Sequence, residues 1–154
     1  MNSLVQLYSA QQHTPALLKT ARALLTIPDL FHFWLTGIQA CEYTNATTTQ
    51  LFNSKERDWA RPLLDRLGIP SHFLQPVIEP GTAIGKWRDV PVVVPASHDT
   101  GSAVAAIALG PTTAYISSGT WSLMGAELSQ RSSMKKLGNL TSPMRAAFAA
   151  PHAS

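Results

Sequence analysis

Residues 91–125 read PVVVPASHDTGSAVAAIALGPTTAYISSGTWSLMG. Val90 to Ala96 is a β-branched run, short and apolar on both faces, and predicts a buried strand. That strand leads straight into Ser97-His98-Asp99-Thr100-Gly101. Gly101 to Leu109 is small and apolar and predicts a tightly packed helix. Thr112 to Ser117 and Trp121 to Leu128 read as two further strands. Sheets of α/β proteins present ligand groups at the carboxyl ends of their strands. A carboxylate at Asp99 could therefore take a proton from a substrate hydroxyl while the sheet holds it rigid; the alternative is that Asp99 caps the following helix. Ser117-Ser118-Gly119-Thr120 combines backbone amides, hydroxyls and a glycine that lets oxygen approach, which suits phosphate. The same four residues also make an ordinary hairpin turn. Neither a Walker-type G-x-x-x-x-G-K-[ST] run nor a G-x-S-x-G nucleophile elbow is present.

Upstream, Thr14-Pro15 predicts a helix start, and Leu17, Leu18, Ala21, Leu24 and Leu25 extend one apolar stripe over 15–26. Pro28 opens a second short helix with Asp29 in its first turn, and Gly37 ends it. Its bulk, Leu30, Phe31, Phe33 and Trp34, reads as core. Residues 41–53, CEYTNATTTQLFN, are rich in Thr and Asn, whose side chains compete for backbone hydrogen bonds, and predict an ordered loop. Asp58 is placed to cap a third helix carrying Trp59, Leu63, Leu64 and Leu67, stopped by Gly68. Pro70, Pro76, Pro80, Gly81 and Gly85 mark a linker or surface crossing between two organised parts. Residues 129–154 show no clear period.

Composition narrows the function classes. Hydrophobic residues make up 45% and charged residues 14% of 154, as in a folded protein whose surface expects some covering partner. The net charge of +3 comes from scattered Lys and Arg, which argues against a nucleic-acid partner. One cysteine, Cys41, excludes an internal disulfide framework, suits a reducing compartment and reads as a buried structural thiol. The five histidines are far apart, so no metal-ligand spacing appears. Met1-Asn2-Ser3-Leu4 has no targeting character, and no run approaches the roughly 18 apolar residues of a membrane span. A cytoplasmic location without membrane partner is the expectation.

Taken together, PVVVPASHDTGSAVAA and AYISSGTWSLMG resemble the start of the second domain in the FGGY family of carbohydrate kinases, on its rhamnulokinase branch. LLTIPDLFHFWLTG (24–37) and EYTNATTTQLFN (42–53) resemble part of the family's first domain. The resemblance covers roughly residues 2–128. It implies an α/β, actin-like or ribonuclease-H-like ATPase fold, incomplete, with 1–88 from the first domain, 89–128 opening the second, and 129–154 a divergent tail. It implies Asp99 as catalytic base, with His98, Asp99 and Thr100 at the sugar and Gly119 and Thr120 at ATP. It further implies transfer of the γ-phosphate of ATP, carried with Mg2+, to L-rhamnulose. The alternatives are another FGGY sugar or polyol kinase, or a non-catalytic sugar- or nucleotide-binding remnant. The family's N-terminal glycine-rich hairpin and C-terminal adenosine segment have no counterpart here. The chain is therefore expected to be an internal fragment, inactive alone.

Overall fold

The structure is a computed structural model and describes residues 3–107, 110, 113–119 and 122–126. It falls into two compact units, Met1–Asp99 and Thr100–Ser154. The expectations for Thr120, Trp121 and the tail 129–154 lie outside the described residues. Among those described, no helix is long and apolar enough to cross a membrane.

In the first unit, α1 (Ser3–His13) and α2 (Pro15–Thr20) pack against each other. The expected helix over 15–26 stops at Thr20. From there the chain extends, and Leu24 bridges Leu74 in parallel. Leu24 thus packs against the core from extended backbone rather than from a helical stripe. The Thr14 hydroxyl donates backward to the Ala10 carbonyl at 3.2 Å and so serves the end of α1; it makes no cap bond to α2.

The second helix, α3 (Ile27–Thr36), forms as its sequence predicts. Thr26 and Asp29 make a reciprocal capping box, and Gly37 takes the left-handed φ of 75° that ends it. Its aromatic residues depart from expectation: Phe31 is 55% and Trp34 64% exposed, while Asp29 is the buried residue. This helix packs against a hairpin that the chain forms later, at 83–93.

Next come β1 (Cys41–Glu42), α4 (Tyr43–Thr48) and β2 (Phe52–Asn53). The loop expected over 41–53 is therefore a short helix between two short strands. The hydroxyls of Thr47, Thr48 and Thr49 donate to carbonyls three residues back, so their bonds run along the helix instead of competing with it. β3 (Asp58–Trp59) pairs antiparallel with β2. Asp58 lies in that strand and caps nothing; the N-cap of α5 (Arg61–Arg66) is Ala60, with Pro62 in the first turn and Gly68 left-handed after the helix.

The Pro-rich stretch is not a linker. Ile69, Phe73 and Leu74 from it are buried with Leu18, Cys41, Ala46, Leu51, Trp59 and Leu64 in the main core. β4 (Val77–Ile78) lies parallel to β1, pairing Cys41 with Val77 and Glu42 with Ile78. Prolines are tolerated because these parallel contacts are only two residues long and their flanks need few amide donors. β5 (Ala83–Trp87) and β6 (Val90–Val93) form an antiparallel hairpin with a bulge at Ala83–Gly85. The strand expected to reach Ala96 stops at Val93, and it is exposed rather than buried, except that the adjoining Val94 is fully buried. Val94 exchanges hydrogen bonds with Gly81 and Thr82, and Pro95 then has no amide to continue the ladder.

Helix α6 spans Asp99–Ala105, and all but its first residue belong to the second unit. Within the second unit, β7 (Ala114–Ser118) and β8 (Ser122–Ala126) make a hairpin in which Tyr115 faces Gly125. A Cβ at Gly125 would lie 2.6 Å from the Tyr115 ring, so glycine here makes room for the aromatic across the ladder.

Candidate functional site

Two buried carboxylates organise the end of the first unit. Asp29 accepts the Thr26 hydroxyl at 2.6 Å and the Thr26 amide at 3.3 Å through Oδ2. Its Oδ1 accepts the backbone amide of Glu42 at 3.0 Å. Glu42 is 0% exposed and is the N-cap of α4. Its carboxylate accepts the amides of Thr44 (2.8 Å), Asn45 (3.1 Å) and Ser97 (3.0 Å), together with the Thr44 hydroxyl. That hydroxyl in turn accepts the amide of His98 at 3.0 Å. Burying a carboxylate costs heavily unless donors replace water, and these donors do so.

The network ends at the residues that the sequence marks as chemical. His98 is partly buried, with Nδ1 3.1 Å from Oδ1 of Asp99, whose side chain is 94% exposed. Asp99 is the first residue of α6 and does not stand at a strand's carboxyl end, because the strand finishes six residues earlier. What precedes it is an irregular segment in which Val94 is held by backbone bonds to Gly81 and Thr82, and the amides of Ser97 and His98 by side chains. Thr100 follows in α6, partly buried, in the second unit. Gly119 is exposed at the bend after β7, also in the second unit, and Thr120 lies outside the described residues. The structure thus brings His98 and Asp99 together and describes Gly119 within its own hairpin. An exposed carboxylate beside an imidazole can accept a proton from a hydroxyl presented to it. An exposed glycine bend offers backbone close to an incoming oxygen.

Sequence reasoning missed Glu42 and Thr44. The signal was an acid followed at two and three residues by Thr44 and Asn45, the spacing of a side chain that caps its own helix. Glu is an uncommon N-cap, and nothing in sequence ties residue 42 to residue 97.

Residues 1–103 match the N-terminal domain of the FGGY family of carbohydrate kinases. A rhamnulokinase of Halalkalibacterium halodurans is 44% identical over 135 residues, covering 82% of this chain and 29% of the relative. One of Pectobacterium carotovorum subsp. carotovorum is 51% identical over 110 residues, covering 68% of this chain and 22% of the relative. The chain therefore spans less than a third of these relatives' length. Among solved structures, a gluconate kinase from Lactobacillus acidophilus superposes with a TM-score of 0.74 at 20% identity, covering 85% of this chain and 29% of that one. A xylulose kinase from the same organism gives 0.73 at 20% identity with the same coverage. At that identity the likeness is one of fold: the actin-like, ribonuclease-H-like fold, present in part.

Proposed function

The chain belongs to the FGGY family of carbohydrate kinases, and from that premise we propose that it serves ATP-dependent phosphorylation of a ketose, L-rhamnulose to L-rhamnulose 1-phosphate. The observation that carries this reading is the identity of 44% and 51% to rhamnulokinases, against 20% to the xylulose and gluconate kinases that share the fold. Asp99 takes the proton of the sugar hydroxyl as its oxygen bonds to the γ-phosphorus. The bond from that phosphorus to the bridging oxygen breaks, and ADP leaves. His98 and Thr100 flank the base and contact the sugar. Gly119 and Thr120 are assigned to the ATP phosphates. Among the described residues, no three His, Cys, Asp or Glu side chains converge on one point. Mg2+ would enter with the nucleotide and neutralise charge on its phosphates. The setting is the cytoplasm, with neither nucleic acid nor membrane as partner.

A chimera tests the substrate. Residues 1–103 of this chain replace the matching span of the Halalkalibacterium halodurans rhamnulokinase, and ADP release is followed with L-rhamnulose, D-xylulose and gluconate. The expected kcat/KM for L-rhamnulose exceeds the others by at least about tenfold. A folded chimera that prefers either other sugar would overturn the assignment of L-rhamnulose.

A further inference from the structure

The residues leading into Asp99 have no sheet ladder to hold them: β6 ends at Val93, and Pro95 has no amide. Yet the amides of Ser97 and His98 are both bound, one by the Glu42 carboxylate and one by the Thr44 hydroxyl that Glu42 itself accepts. Ser97 lies 55 residues from its partner in sequence. We infer that Glu42 is a positioning residue for Asp99, fixing through its own carboxylate and through Thr44 the backbone from which that side chain projects. The inference rests on the reading of Asp99 as the base.

The choice of glutamate supports it. Asp, Asn, Ser or Thr caps a helix well at lower side-chain entropy, so α4 alone gives no reason for the longer residue. Glutamate's extra methylene lets one carboxylate cap Thr44 and Asn45 and still reach Ser97. Every partner of that carboxylate is a donor, which makes glutamine a poor replacement, since its amide nitrogen would face one of them. Asp29, locked in the capping box of α3, holds the amide of Glu42 from the other side. The strut thus runs from α3 through α4 to the entrance of α6. Misplacing a reacting group by about 1 Å can cost on the order of 10² in rate, so such a hold has catalytic consequences.

The discriminating variant is E42D, which keeps a good helix cap but shortens the reach. Amide hydrogen exchange is measured on this chain, and kinetics in the chimera above. In E42D, exchange at Thr44 and Asn45 should stay within about twofold of wild type, while Ser97 and His98 speed up by at least about tenfold. Turnover should fall by roughly 10- to 100-fold with KM for ATP within about twofold. E42A, which also removes the cap, should accelerate all four amides. Unchanged exchange at Ser97 and His98 in E42D overturns the inference, as does a kcat loss no larger than the loss of folded protein. Asp99→Asn is assayed alongside. If it keeps wild-type turnover, the base reading fails, whereas the exchange data still decide whether Glu42 holds Ser97 and His98.

Discussion

The Cys41 thiol donates to the Leu24 carbonyl at 3.4 Å and lies in the core with Trp59, Leu64 and Phe73. Burial, reinforced by the nearby Asp29 carboxylate, pushes it up to about 12 from its ordinary 9.0. The folded state therefore favours the neutral thiol. The stability this gives is present below pH 9.0 and is lost as pH rises from there toward about 12. Two outcomes follow. At pH 8 a thiol reagent should label Cys41 about a thousandfold more slowly in the folded chain than in urea, since reaction needs the thiolate. Cys41→Ala should lose less stability between pH 9 and 11 than wild type does in denaturant titrations. Labelling of the folded chain at the rate of the unfolded one would contradict both the burial and the shift. The single cysteine already read as a buried structural thiol in sequence, because it lies in a mixed stretch without ligand spacing. Its coupling to Asp29 did not, because the two meet only through tertiary packing.

Among the elements, α3 shows where pattern reading succeeds and where it stops. Thr26, Pro28, Asp29 and Gly37 define its ends through local bonds and a local φ, and such signals survive any tertiary context. Which face is buried depends on the neighbours, and here the bulky residues Phe31 and Trp34 stack edge-on to each other at 5.3 Å on the exposed side. The helix 15–26 and the loop 41–53 failed for the same reason in opposite directions. Leu24 is drawn into a bridge with Leu74, and Glu42 supplies a cap that makes a helix of a Thr-rich segment. The Ser97–Thr100 motif stands out in the sequence, but its hold by Glu42 across 55 residues does not. These placements predict unequal costs. Phe73→Ala, in the middle of the core, should destabilise by about 3–5 kcal/mol. Trp34→Ala should cost no more than roughly 1 kcal/mol, mostly from its ring contact with Phe31. Urea titrations of the two variants check this, and a Trp34→Ala loss equal to that of Phe73→Ala would show that the α3 face is core after all.

At the scale of the whole molecule, the matched family domain reaches residue 103, past Asp99 and into α6. The described structure accounts for how the chain arrives at that residue: the core of the first unit carries β1 and α4, these carry Glu42 and Thr44, and they hold Ser97 and His98. The central claim is that Asp99, presented this way, is the base of a sugar kinase. Asp99→Asn tests it most directly, because asparagine starts a helix about as well as aspartate but cannot take a proton at neutral pH. Steady-state turnover of the chimera is measured with L-rhamnulose and ATP varied separately. The expected kcat is lower by roughly 10²- to 10⁴-fold, with sugar binding largely kept. An Asp99→Asn enzyme that retains more than about a tenth of wild-type turnover would contradict it, and would leave Asp99 as the first residue of a helix and nothing more.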